Sequence, residues 1–230
     1  MNKLKINNHE ISKENTPFII AEAGINHNGS VEKAVKMVKT AKNAGVSAIK
    51  FQTFKAHEFI SDSSLTYTYT SQGKSITESQ LDLFKRCELS NDDFYKIKKT
   101  CDEEKIFFLS TPQNKSDLDF LLELGVSAIK VGSDDFTNLP LLKYYSKTKL
   151  PIIISCGMAT LEEIETTLDV IGTLDGYPTA LLLTTSEYPT PPQNVNLQKL
   201  RTLSEKFPGI PLGYSDHTQG NLASPIAISF

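Results

Sequence analysis

Along the chain the spacing of apolar residues switches repeatedly between short continuous runs and positions three and four apart. That switching predicts strands alternating with helices. Phe18–Gly24 (FIIAEAG) is an apolar run that turns small and polar at its end, as a buried parallel strand does. Ser30 then caps a helix with apolar positions at Val31, Ala34, Val35, Val38 and Ala41, and Gly45 ends it. Ala48–Phe54 is the second strand. The segment Lys55–Thr77 is polar and rich in Ser, Thr and Tyr; at about 20 residues it is too long for a neutral connector and predicts a functional loop or lid. Thr77–Gln80 and Ser90–Asp93 read as capping boxes that open two helices. Strands then follow at Ile106–Pro112, Ser127–Ser133, Pro151–Gly157, Ala180–Ser186 and Pro211–His217. Helices follow at Ser116–Leu124, Leu139–Ser146, Leu161–Ile171 behind a Thr160/Glu163 box, and Leu197–Phe207, with the beginning of another at Asn221–Phe230.

Seven parallel strands alternating with helices predict an α/β fold of the (β/α)8 TIM-barrel type, whose site is built from polar residues at strand ends. A doubly wound sheet is the competing architecture, but no GxGxxG or P-loop follows any strand, and polar residues close nearly every strand. The strand count stops at seven, so the expectation is an incomplete barrel forming one domain over 1–230, with no second domain. With 39% hydrophobic and 22% charged residues the 230-residue chain is ordinary for a globular protein. A net charge of −3 without a basic run argues against nucleic acid as a partner. No apolar run approaches the roughly 20 residues of a membrane span, and Met1–Pro17 lacks the apolar core of a signal peptide. Cys87, Cys101 and Cys156 are widely spaced, without CxxC, and the expected location is the reducing cytoplasm.

The strand ends carry the candidate chemistry. The hexapeptide Gly-Val-Ser-Ala-Ile-Lys occurs twice, at Gly45–Lys50 and Gly125–Lys130. Lys50 ends the second strand and Lys130 the fourth, and alternate strands of a barrel contribute to one layer of its interior. The two lysines are therefore expected to point to one centre, where an anion such as phosphate would relieve their repulsion. A single strand-end lysine would more simply snorkel. Thr111, Ser133, Ser155 and Ser186 end neighbouring strands as hydroxyl donors. Glu22, inside an apolar run, is either a salt-bridge partner of a lysine or a group that binds substrate or moves a proton. Asp134 and Asp135 follow the second lysine; Asp135 is placed toward the same mouth, unless the pair is merely solvated. Asn26–Gly29 reads as a turn. In Ser215-Asp216-His217 the histidine suits a metal ligand or a general base, and without a Gly-x-Ser-x-Gly elbow there is no nucleophilic triad. Tyr188-Pro189-Thr190-Pro191-Pro192 is a stiff loop that presents Tyr188.

Taken together these segments resemble the sialic acid synthase family, through AEAGINHNGS at 21–30, IKFQTFKA at 49–56, LSTP at 109–112 and IKVGSDDFTNLPLL at 129–142. The resemblance continues in IISCGMAT at 153–160, EYPTP at 187–191 and GYSDHT at 213–218, in family order. It implies condensation of phosphoenolpyruvate with an N-acetylated amino sugar to a nonulosonic acid, with release of phosphate. It further implies that Lys50, Thr111, Lys130, Ser133, Ser155 and Ser215 hold phosphoenolpyruvate, with Ser186 at a position where some members have Asn. Glu22 matches the active-site glutamate, and Gln52, Tyr188 and Asp216 match sugar-site positions. Asp135 stands where many members carry a glutamate tied to breakdown of the tetrahedral intermediate, with a shorter reach. His217 matches one of two histidines for a divalent metal, usually manganese, which polarises the sugar aldehyde. A Schiff-base lysine is the alternative chemistry. Family members continue into an eighth strand with the second metal histidine and an antifreeze-like domain that reaches the partner subunit of a homodimer. For a chain stopping at Phe230 the expectation is an incomplete metal site. Two readings follow from it: a piece of a functional synthase, or a truncated remnant that only binds phosphoenolpyruvate or a partner subunit.

Overall fold

Seven strands run parallel in this chain, three in one sheet and four in another, with two antiparallel hairpins beside them among the described residues. The structure is a computed structural model and describes residues 4–12, 14–71 and 73–230. It consists of two compact units, Ile19–Val126 and the pair of segments Met1–Phe18 and Ser127–Phe230.

The chain opens with a hairpin, β1 (Leu4–Ile6) and β2 (His9–Ile11), which turns at Asn7 with φ of 52°. Its three-residue strands are too short to show a period, so the apolar pattern does not reveal them. Leu4 and Ile6 are fully buried, and the Asn7 side-chain amide donates to Ser127 Oγ at 2.8 Å.

The unit Ile19–Val126 begins with β3 (Ile20–Gly24), α1 (Val31–Asn43) and β4 (Ala48–Thr53). Ser30 caps α1 by accepting from Lys33 N, and Ala34, Val38 and Ala41 form its buried stripe. After α2 (Ala56–Phe59) comes a feature that corrects the expected long loop. The second half of Lys55–Thr77 belongs to the antiparallel hairpin β5 (Thr66–Ser71) and β6 (Lys74–Ser79), with Gln72 outside the described residues. Alternating Thr and Tyr suit a two-sided pleated ribbon better than a loop. Arg86 grips Glu78 through both terminal guanidinium nitrogens at 2.8 Å, and Tyr69 OH donates to the same carboxylate at 2.7 Å. These bonds hold the Glu78 carboxyl down at about 2. Thr77 therefore lies in a strand and opens no capping box; Ser79 caps α3 (Gln80–Cys87) by accepting from Asp82 N.

Ser90 and Asp93 do form the expected box at the start of α4 (Asn91–Glu104). β7 (Phe107–Pro112) and α5 (Lys115–Leu124) complete the unit, with sheet order β3-β4-β7. Asp117 is buried at the N-terminus of α5, accepting from Asn114 N at 3.0 Å, and burial pushes its carboxyl up to about 6. Native Asp117 thus keeps a proton that the unfolded carboxyl releases near 4. Stability is expected to fall by roughly 2–3 kcal/mol as pH rises through about 4 to 6, and to level off above that. Asp117→Asn keeps an acceptor for the cap, so urea denaturation against pH should show this slope in the wild type and not in the variant.

The remaining unit carries β8 (Ile129–Val131), α6 (Leu139–Ser146), β9 (Ile152–Ser155), α7 (Leu161–Ile171) and β10 (Thr179–Thr184). It ends with α8 (Lys199–Lys206), β11 (Leu212–Ser215) and the short α9 (Ala223–Ala227). The sheet is parallel in the order β11-β10-β9-β8. Its interior strands are apolar on both faces (Ile152, Ile153, Ile154, Leu181 and Leu183 are buried), as helix-covered parallel sheets require. Candidate residues lie both within the strands (Glu22, Lys50, Gln52, Thr111, Lys130, Ser155 and Ser215) and in the segments just beyond them (Ser133, Asp135, Ser186, Tyr188, Asp216 and His217). No helix among the described residues is long and apolar enough to cross a membrane.

Candidate functional site

The repeated hexapeptide folds the same way twice. Gly45 and Gly125 stand just past helices at φ of 77° and 81°, a conformation glycine adopts without strain. Alanine and isoleucine are then buried in both copies, and the closing lysines are only 8% (Lys50) and 5% (Lys130) exposed. A buried ammonium needs oxygen partners, and each lysine takes a hydroxyl at the end of the next strand in its sheet.

In the first unit, β3 and β4 pair Glu22 opposite Lys50, and β4 and β7 pair Gln52 opposite Thr111. Lys50 Nζ lies 2.6 Å from Glu22 Oε2 and donates to Thr111 Oγ1 at 3.4 Å. The salt-bridge alternative for Glu22 is therefore the observed contact, and half of that side chain stays exposed (51%) for a second partner. A bulge between Glu22 and Gly24 turns the end of β3, and Gly24 at φ of 49° leaves room for the carboxylate to lie back over it. The turn at 25–29 accounts for His27: the ring is 1% exposed, Nδ1 accepts from Gly29 N at 3.1 Å, and burial lowers its pKa. His27 is a neutral core residue, which agrees with the turn reading of its segment.

In the second unit, Lys130 Nζ donates to Ser155 Oγ at 2.8 Å and to its neighbour Val131 O. Ser133 Oγ accepts from Gly157 N at 2.9 Å. Gly157 is not among the site residues expected from the sequence, yet a methyl there would come within 2.5 Å of Ser186 Oγ, 2.6 Å of Thr184 Cγ2 and 2.9 Å of Ser133 Oγ. Three strand-end hydroxyl residues thus crowd one glycine backbone. Asp135 is half-buried, accepts from Asn138 at 3.0 Å, and burial with help from the Asp134 charge raises its pKa. Its carboxyl holds a proton to higher pH than an exposed aspartate would, as a proton donor requires.

Beyond β11 the backbone turns at Ser215-Asp216-His217. Thr184 Oγ1 donates to Ser215 O at 2.8 Å, which ties that turn to β10. Asp216 is opposed by burial, but bonds from Thr218 N, Ser224 Oγ and Tyr214 OH outweigh it and hold the carboxyl below its usual range. The His217 ring lies 4.0 Å from the Tyr188 ring, with Tyr188 72% exposed. His217 Nδ1 is 2.7 Å from Thr185 O, so Nε2 is the nitrogen available to a ligand. Among the described residues there is no group of three or more His, Cys, Asp or Glu side chains that could hold a metal ion. His217 does not by itself make a metal site.

The two parallel sheets with their covering helices define an α/β protein, and each sheet carries one buried lysine. The NeuB family profile matches residues 37–230, and the chain belongs to the NeuB family. It is 39% identical over 218 residues to the N,N'-diacetyllegionaminic acid synthase of Legionella pneumophila, covering 93% of this chain and 61% of that protein. It is 38% identical to the N,N'-diacetyllegionaminic acid synthase of Campylobacter jejuni, covering 92% of this chain and 64% of that protein. The chain thus spans less than two thirds of the length of these relatives. Among solved structures it resembles the N-acetylneuraminic acid (sialic acid) synthetase of Leptospira borgpetersenii, solved with citrate. That likeness has a TM-score of 0.88 at 32% identity, over 98% of this chain and 73% of the other.

Proposed function

We propose that this chain handles phosphoenolpyruvate in an enzyme that joins it to an N-acetylated amino sugar, forming a nonulosonic acid and releasing phosphate. The observation that carries the proposal is the duplicated buried lysine, each with a strand-end hydroxyl, in a NeuB-family chain. Citrate in the Leptospira synthetase, a small carboxylate anion, supports an anion-binding reading. The fold proposed is the (β/α)8 type, of which the seven parallel strands are part.

Lys50 and Lys130 neutralise the phosphate and carboxylate of phosphoenolpyruvate, with Thr111, Ser133, Ser155, Ser186 and Ser215 donating to their oxygens. Gln52, Tyr188 and Asp216 orient the sugar. Attack by C3 of phosphoenolpyruvate on the sugar aldehyde forms the carbon–carbon bond. Water then adds at C2, and the C–O bond breaks to release phosphate. Glu22, held by Lys50, accepts a proton from the water, and Asp135 donates one as the tetrahedral intermediate collapses. A divalent cation, manganese by family resemblance, would take His217 Nε2 as one ligand and polarise the aldehyde. A Schiff-base lysine is disfavoured because both amines are tied up as donors: Lys50 to Glu22 and Thr111, Lys130 to Ser155 and a carbonyl. Three free, buried cysteines support a cytoplasmic setting.

Titration calorimetry tests the reading. One phosphoenolpyruvate per chain is expected, with binding lost in Lys50→Met and in Lys130→Met. Full-strength binding by either variant would refute a ligand shared by both lysines.

A further inference from the structure

We propose that Thr190 is a positioning residue that acts through His217, fixing the imidazole with its proton on Nδ1 and leaving Nε2 as the accepting nitrogen. The tautomer follows from the contacts. Nδ1 lies 2.7 Å from Thr185 O, and a carbonyl oxygen only accepts, so Nδ1 carries the hydrogen. The second neighbour of Nδ1 is Thr184 Oγ1 at 3.4 Å. Its single proton is given to Ser215 O at 2.8 Å, so it too turns a lone pair toward the ring. Both contacts demand the same tautomer.

Thr190 holds the two sides of this contact together. It is 2% exposed, with bonds both to the segment bearing the acceptor and to the histidine itself. Its hydroxyl donates to Glu187 O at 2.8 Å and lies 3.4 Å from Thr185 O. Its N–H donates to His217 O at 2.8 Å, and it forms a parallel bridge to Thr218. A second tie stiffens the same loop, with Thr185 Oγ1 donating to Asn194 O at 3.1 Å and the Asn194 side-chain amide to Glu187 at 2.8 Å. The Tyr188 ring covers one face of the imidazole at 4.0 Å. The proline-rich loop is thus a clamp on His217, with Thr190 as its buried bolt. The functional weight of His217 rests on the condensation reading; the clamp itself does not.

The test is nitrogen-15 NMR of His217 at about pH 8, where ordinary imidazoles are neutral, in wild type, Thr190→Val and Thr190→Ser. Wild type should show a protonated Nδ1 and an unprotonated Nε2. Thr190→Val keeps the shape and loses the hydroxyl, so its two nitrogen signals should move toward each other as tautomers mix. Thr190→Ser should restore the wild-type pattern. Turnover should fall on the order of 10-fold in Thr190→Val, in kcat and not in KM, and recover in Thr190→Ser. A protonated Nε2 in wild type, or an unchanged spectrum in Thr190→Val, would overturn the proposal. If the spectra behave as expected and no variant, wild type included, condenses the two substrates, the clamp stands and the condensation reading fails.

Discussion

Lys130→Met is expected to lower kcat/KM for condensation by about 10² to 10³-fold while leaving the fold intact. Lys130 is 5% exposed and donates to Ser155 Oγ and Val131 O, so its charge sits where water screens it least. Burying a charge in this way is costly to the folded protein, and an arriving anion offsets that cost. Methionine has nearly the same length and needs no partner, so thermal unfolding of the variant should match or exceed the wild type. Falling activity with undiminished stability marks a functional lysine; falling stability with it would mark a structural one. Ser155→Ala provides the scale. It removes one hydroxyl and leaves the cation, so its loss should be at least tenfold smaller. Steady-state kinetics of the two variants, with unfolding curves beside them, make the comparison.

Gly157→Ala is expected to have the second largest effect. The added methyl would lie 2.5 Å from Ser186 Oγ and 2.6 Å from Thr184 Cγ2, both on the segment that closes β10. Relief requires moving those side chains or the backbone N–H that donates to Ser133. Overpacking of this kind costs about 1–3 kcal/mol of stability. The same displacement carries away the hydroxyls proposed to bind phosphoenolpyruvate, so its apparent affinity should fall about 10-fold or more. Calorimetric titration and urea denaturation on one preparation separate the two losses. Unchanged affinity would mean that Ser133 and Ser186 do not touch the ligand.

Whether a feature is legible in the sequence depends on whether it is local. The capping boxes at Ser90 and Thr160 follow from side chains three residues apart, and the structure has both. The twin hexapeptides identify two buried lysines because a charge that closes an apolar run stays close to the core, but Lys50 does not end its strand as expected: β4 runs on through Phe51 and Gln52 to Thr53. The β5–β6 hairpin resembles a loop in sequence because alternating Thr and Tyr is polar, although its ladder and the Arg86–Glu78–Tyr69 grip make it regular. For Glu22 the sequence leaves two options open, and only geometry puts it within 2.6 Å of Lys50. Gly157, Thr184 and Thr190 are not singled out as site residues in the sequence, for one reason. Each matters through a neighbour distant in sequence, Gly157 with Ser133 and Thr190 with His217, and no local pattern carries that.

The most direct measurement is phosphate release from phosphoenolpyruvate, followed continuously with and without N-acetylated amino sugars in the presence of manganese. Release that requires both phosphoenolpyruvate and a sugar, and that disappears in Lys130→Met, is the predicted result. Release that is indifferent to the sugar, or that persists in Lys130→Met, would contradict the account.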